Sequence, residues 1–147
     1  MLKNRKKIHI EWGDCDPAGI VYYPRYFAYF DNCTAALFAA AGFPKHEMLR
    51  RYNIVGIPMV DTRARFLAPS RFGDDVEVES AIVEWRRSSF DVEHRLYRGQ
   101  ELAVECFETR VWAARSGESD KIEGQPVPEE VILKLGGIRR GNGPSRK

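Results

Sequence analysis

Cysteine is scarce in this chain and its number is odd. Cys15, Cys33 and Cys106 are scattered through 147 residues. Such a set offers no disulfide framework and points to a reducing compartment, so a cytoplasmic location is expected. Histidine is scarcer in effect, because His9, His46 and His94 lie far apart and no pair has metal-ligand spacing. A zinc-type site is therefore not expected. No apolar run nears the roughly 20 residues that span a bilayer, so no membrane partner is expected. The basic stretch Met1–Lys7 is not followed by an apolar segment, which makes it a poor signal peptide. Net charge is also small, formally +2, too little to argue for nucleic acid. The positive charge gathers at the ends, in Lys3–Lys7 and in Arg139, Arg140, Arg146 and Lys147. Charge at chain ends is ordinarily solvated.

What the chain does have is one domain's worth of patterned sequence. Residues 5–12 alternate as a first strand. Gly13 to Gly19 packs Gly, Asp and Pro into a loop with special backbone geometry. Pro24 then suits the first helical position, where its missing N–H has no partner to lose, and Gly42 stops the helix. Phe27, Phe30, Thr34, Leu37 and Ala41 share one helical face. Asp31 is the only carboxylate from Tyr26 to Ala41, so the helix reads as buried nearly all round. Residues 44–53 read as a short helix or loop. Alternating patterns follow at 60–66, 76–85, 90–96 and 102–114, with a phase shift near Glu108 that suggests a bulge. Residues 115–126 read as a polar loop, and Pro128-Glu129-Glu130 opens a short helix that Gly136 ends. The expected domain is 1–135. Residues 136–147 read as a basic, disordered tail. A strand, a buried helix and four strands in meander give an α+β class, with one antiparallel sheet around the long helix.

Asp16 follows a strand and precedes the N-terminus of that helix. A helix N-terminus carries unpaired N–H groups and partial positive charge, and suits a developing oxyanion. The donors would be the N–H of Tyr23, with Arg25 or Tyr26 just inside. Composition alone leaves Asp16 open to a second reading as a turn or capping aspartate.

Gly13-Asp14-Cys15-Asp16-Pro17-Ala18-Gly19-Ile20-Val21-Tyr22-Tyr23-Pro24 resembles the signature of the 4-hydroxybenzoyl-CoA thioesterases. Glu84-Trp85-Arg86-Arg87-Ser88-Ser89-Phe90 and Ile54-Val55-Gly56-Ile57-Pro58 resemble later parts of that family's pattern. The likeness spans roughly residues 7–135. It implies the hot-dog fold, a five-stranded antiparallel sheet wrapped around one long central helix. It implies hydrolysis of an aromatic acyl-CoA by Asp16, as nucleophile or base, with the Tyr23 N–H polarising the thioester carbonyl. Asp31 would face a ring hydroxyl, and Arg86, Arg87 and Ser88 would bind the CoA phosphates. Tyr22, Pro24, Phe27 and Trp85, in or beside these motifs, complete the implied substrate-binding set. No cofactor is implied, since coenzyme A is part of the substrate. A homodimer, commonly paired again into a homotetramer, is.

An ordinary aspartate, with a pKa of about 3.9, is ionised at neutral pH but a feeble base, which favours direct attack over base catalysis. Asp31 either reaches solvent at the helix edge or meets a polar acyl group. Arg86 and Arg87, read as neighbours on a strand, point to opposite faces unless the chain bends. Family members often carry Lys where this chain has Ser88. Cys15 has no His near it in sequence to serve as a base. The alternatives are a short-chain aliphatic acyl-CoA thioesterase, whose members usually have His where this chain has Pro24, and a hot-dog module that binds acyl-CoA without turnover. A hot-dog dehydratase is disfavoured, because the motif holds no His.

Overall fold

The computed structural model describes residues 1–117 and 119–140. Strand β1 (Asn4–His9) leads through a 3-10 turn at Trp12–Asp14 to helix α1 (Tyr23–Ala40). Helix α2 (Lys45–Tyr52) follows, then strands β2 (Met59–Phe66), β3 (Asp75–Trp85), β4 (Ser89–Arg98) and β5 (Glu101–Val111). The short strands β6 (Ala113–Arg115) and β7 (Ile122–Gly124), helix α3 (Glu129–Leu135) and strand β8 (Ile138–Arg139) complete the chain.

Five strands form the antiparallel sheet of a hot-dog fold in the order β1-β3-β4-β5-β2. Only β3, β4 and β5 form a meander. Strand β2 pairs with β5 at the far edge, not with its sequence neighbour β3, so the four-strand meander expected from sequence is corrected. Two further stretches are more ordered than their polarity suggests. Part of the 115–126 loop forms the β6–β7 hairpin. Strand β8 pairs in parallel with the end of β3, and the Trp85 indole donates to the Gly136 carbonyl at 2.6 Å. The sheet thus runs past the expected boundary at Leu135. The remainder of the expected tail, residues 141–147, lies outside the described residues.

The helix α1 forms where alanines are frequent and Thr34 is the one β-branched residue. It begins at Tyr23, so Pro24 takes its second position. Ala41 caps it, and Gly42 follows at φ +95, which glycine adopts without penalty. Its buried residues are Tyr26, Tyr29, Phe30, Cys33, Thr34, Leu37 and Phe38, whereas Ala28, Asn32 and Ala39 are exposed. The helix is therefore not covered all round, because its outer face is made of small residues.

Two apolar clusters lie along α1. Tyr26, Tyr29, Phe30 and Cys33 pack with Ile10, Val76, Val78, Leu96, Val104 and Cys106. Leu37 and Phe38 pack with Ile82, Trp85, Phe90, Trp112, Val131 and Leu135. Each large side chain buried this way contributes about 1.5–3 kcal/mol. Between the clusters sits a polar layer of Thr34, Ser80, His94, Glu108 and Arg110, all buried. No bulge occurs at Glu108, which pairs in register with Thr62 and Val92. The shifts fall at Val60 on β2, at Val83 on β3 and at Ala103 on β5, opposite Leu96–Tyr97. The apparent phase change is two charged residues, Glu108 and Arg110, facing the core.

Candidate active site

The loop after β1 is built by its own polar groups. Asp14 is buried, and its Oδ2 accepts the Glu11 N–H at 3.0 Å. Its Oδ1 accepts Arg25 Nε and Nη2 at 3.0 and 2.8 Å. One carboxylate thus ties the end of the first strand to the first turn of α1. Burial works to raise the Asp14 carboxyl, but the Glu11 N–H and the Arg25 guanidinium outweigh it and hold it below its ordinary range. Sequence reading passed over Asp14. Its position three residues after Glu11, at the loop entry, was the available signal.

Beyond Asp14, Cys15 and Val21 form an antiparallel bridge. The Asp16 N–H donates to the Ile20 carbonyl, and the Gly19 N–H donates back to the Asp16 carbonyl, each at 2.9 Å. Gly19 closes this turn at φ +79, a left-handed conformation that disfavours any side chain. Asp16 is half-buried, and its Oδ1 accepts the Ala18 N–H at 2.8 Å. The turn and the candidate catalytic readings of Asp16 are therefore compatible, since only one carboxylate oxygen is occupied among the described residues.

The helix mouth lies just beyond. The Tyr22 N–H donates to the Asp14 carbonyl and the Arg25 N–H to the Tyr22 carbonyl, at 2.9 and 2.8 Å. Arg25 is thereby removed from the candidate donors. Tyr23, as the first helical residue, has no carbonyl within the helix to receive its N–H. Around this mouth the surface is aromatic. Tyr22 and Tyr23 are exposed, with ring centroids 5.6 Å apart. Phe66 lies 6.4 Å from both Tyr23 and Phe27, while Trp12 and Phe72 meet edge to face at 5.5 Å. Trp12, Phe66, Leu67 and Phe72 are each about half or more exposed. Exposed apolar groups of this kind mark a ligand or partner surface. Pro24 is also exposed.

Asp31 lies elsewhere. It lines a small cavity, open to solvent, between α1, α2 and Gly56–Ile57. Ala35, Phe38, Met48 and Leu49 supply the apolar wall, with Lys45 and Arg110 as the other charged groups. Asp16, Tyr22, Tyr23 and Phe27 do not line it. Tyr23 and Asp31 are eight residues apart, about 12 Å along the helix. Asp31 is not unpartnered, because Arg110 Nη2 donates to its Oδ1 at 2.8 Å. Arg110 also grips Glu108 through Nε at 2.9 Å and Nη2 at 3.1 Å. Burial pushes the Glu108 carboxyl up, but bonds from His94 and Arg110 bring it down to about 2. Burial likewise disfavours the Arg110 charge, and Glu108 and Asp31 more than restore it.

The second motif divides. Trp85 is fully buried in the core, which corrects its place in the substrate-binding set: its indole needs a core partner and finds Gly136. Arg86 to Ser88 form the turn between β3 and β4, closed by Arg86 N–H to the Ser89 carbonyl at 2.8 Å. They are not on a strand. Arg86 is committed to Asp91, at 3.1 and 2.6 Å, and to Ser89 Oγ at 2.8 Å. Arg87 is exposed and makes no ion pair among the described residues. Ser88 is half-buried against Gly124, where an added Cβ would lie 2.8 Å from its Oγ.

The Cys33 and Cys106 thiols are pushed up by burial to about 12 and about 11, so neither is a nucleophile. No group of three or more His, Cys, Asp or Glu able to hold a metal occurs among the described residues.

The pattern of the Thioesterase-like superfamily matches residues 10–135. The chain is 35% identical to 4-hydroxybenzoyl-CoA thioesterase of Pseudomonas sp. (strain CBS-3) over 129 residues, 84% of this chain and 90% of that protein. It is 29% identical to 1,4-dihydroxy-2-naphthoyl-CoA hydrolase of Synechococcus elongatus over 122 residues, 83% of this chain and 87% of that protein. A crystal structure of an aspartate-to-asparagine variant of 4-hydroxybenzoyl CoA thioesterase, complexed with 4-hydroxybenzoyl CoA, superposes with a TM-score of 0.84 at 32% identity. That superposition covers 91% of this chain and 99% of the other.

Proposed function

The chain belongs to the Thioesterase-like superfamily, and from that premise we propose that it hydrolyses an aromatic acyl-CoA, such as 4-hydroxybenzoyl-CoA, to the free acid and coenzyme A. The observation that carries this reading is the Asp16 turn, fixed at the open mouth of α1 in a chain 35% identical to a 4-hydroxybenzoyl-CoA thioesterase. Both curated relatives named above act on aromatic acyl groups by name. The aromatic surface around Tyr22, Tyr23 and Phe66 suits such a group better than a short aliphatic one.

In the proposed reaction an Asp16 carboxylate oxygen attacks the thioester carbonyl carbon. The carbonyl oxygen takes up the charge and is held by the Tyr23 N–H. The C–S bond then breaks, the CoA thiolate leaves and takes a proton, and an acyl-aspartyl anhydride remains. Water cleaves that anhydride to the free acid and restores the carboxylate. No cofactor enters. Arg87 and Ser88 meet the CoA phosphates, while Arg86 braces their turn through Asp91.

The site is proposed to be shared between two copies. Tyr23 and Asp31 stand about 12 Å apart along α1, more than one benzoyl ring spans, so a ring whose hydroxyl reaches Asp31 is served by the Asp16 of a second chain. Among the described residues strand β2 pairs with β5 alone, which leaves its other edge open, and Val60 and Phe66 of β2 and Leu67 just after it are exposed. Pairing along that edge gives a homodimer, and two dimers a homotetramer; a chain that sediments as a monomer at assay concentration counts against it. The three free thiols fit a reducing cytoplasm, and among the described residues no helix is long and apolar enough to cross a membrane.

Thiol release from 4-hydroxybenzoyl-CoA, benzoyl-CoA and butyryl-CoA tests the reading, with Asp16→Asn as control. Release from the aromatic thioesters is expected, with kcat about 10³-fold lower in the variant. Equal rates in the variant remove Asp16 from the chemistry. Cleavage of butyryl-CoA alone points to the aliphatic alternative, and cleavage of none to a binding module.

A further inference from the structure

The charged layer in the core ends at the cavity where Asp31 stands. We propose that Arg110, clamped by Glu108, positions the Asp31 carboxylate and thereby sets the preference for a hydroxylated acyl ring. The proposal rests on the aromatic thioesterase reading and concerns the far end of the acyl group, away from the reacting carbonyl.

Asp31 by itself is a poor recognition group. Its side chain is 54% exposed, on the outer side of a helix, and free to swing towards water. Arg110 removes that freedom. The Arg110 side chain is only 6% exposed, and its guanidinium is held from three directions. Glu108 takes a two-point fork, Ile57 offers its carbonyl to Nη1 at 3.1 Å, and Asp31 Oδ1 completes the set. Glu108 is itself pinned. Thr34 Oγ1 donates to its Oε1 at 2.6 Å, and His94 Nε2 lies 3.2 Å from the same oxygen. Ser80 Oγ holds the other His94 nitrogen at 2.7 Å. A planar arginine with its donors fixed by buried partners transmits orientation in a way a flexible lysine does not. The second Asp31 oxygen makes no hydrogen bond among the described residues, and it is the acceptor left for a ring hydroxyl.

The same pair limits the selectivity. An acyl ring without a hydroxyl does not strand a bare carboxylate, because Arg110 still satisfies Asp31. Discrimination should therefore reflect one hydrogen bond to a charged group, on the order of ten- to a hundredfold in kcat/KM. It should stay well below the roughly 10⁴-fold of sites whose buried polar groups are left unpaired.

The experiment compares kcat/KM for 4-hydroxybenzoyl-CoA and benzoyl-CoA in the wild type, Arg110→Lys, Asp31→Asn and the double variant. A merely structural role lowers both substrates in the same proportion and leaves their ratio unmoved. The proposal expects Arg110→Lys to cut the ratio about fivefold or more, Asp31→Asn to abolish the preference, and the double variant to match Asp31→Asn. A wild-type ratio in folded Arg110→Lys overturns it, as do single effects that multiply in the double variant. Should Arg110→Lys not fold, Glu108→Gln takes its place under the same criterion. A wild type that cleaves neither thioester defeats the thioesterase reading itself. One that cleaves both equally leaves that reading standing and defeats this proposal.

Discussion

Replacing Glu108 by Gln keeps the shape of the buried layer and removes its central negative charge. In the folded chain the Glu108 carboxyl is brought to about 2, against an ordinary 4.5. A carboxyl depressed on folding adds stability that is fully present above its unfolded value and lost as pH falls through the folded one. The gap between 4.5 and about 2 corresponds to about 3 kcal/mol at neutral pH. Glu108 is 1% exposed, so solvent screening takes little from that figure. By pH 3 about 2 kcal/mol of it is gone. Urea unfolding at fixed protein concentration, followed by fluorescence of the buried Trp85 and Trp112, measures the effect. Glu108→Gln should be less stable than the wild type by about 3 kcal/mol at pH 7, and the difference should shrink by about 2 kcal/mol at pH 3. Asp14 and Asp91 titrate in both proteins and cancel in the comparison. An equal difference at the two pH values would show that Glu108 is not held as a carboxylate by Arg110 and His94.

Arg87→Ala should raise KM for CoA thioesters about three- to tenfold and leave kcat in place, since the residue is exposed and in the proposed reaction meets CoA and not the carbonyl. A loss of kcat at unchanged KM would show that Arg87 does something other than bind CoA. Trp85→Phe should lower stability by about 1 kcal/mol through the lost bond to the Gly136 carbonyl, with KM unmoved. A raised KM in a fully stable variant would return Trp85 to the substrate site.

The parts of this fold that were legible in sequence are those written as local patterns. The helix α1 announces itself by its alanines, its early proline and the glycine after it. The Asp16 loop does so by a dense run of Gly, Asp and Pro. Strand order was not legible, because a period of two says that β2 is half-buried and nothing about which neighbour it joins. The buried layer was misread for a sharper reason. Binary patterning treats Glu108 and Arg110 as solvent-facing, and only their mutual pairing, with Thr34 from α1 and His94 from β4, makes them tolerable inside. Trp85 failed in the opposite sense: a motif placed it beside the cations, but a tryptophan next to a turn still points wherever the strand pleat sends it, here into the core.

The mouth and the middle of α1 reach order by different means, and this bears on how the site works. At the mouth, Asp14 joins Glu11 to Arg25, and the Asp16 turn is closed by its own backbone, so its carboxylate is set before any substrate arrives. Such preorganisation lowers the reorganisation needed as charge moves onto the oxyanion. Two turns along, Asp31 is placed from beneath, through an arginine and a glutamate whose charges are taken out of water. Breaking one partner of such a layer is costly, at about 3–5 kcal/mol, while replacing it whole by apolar residues can be nearly neutral. Stability alone therefore gives little reason for the layer to be charged. Holding a carboxylate steady at the mouth of an apolar cavity gives one.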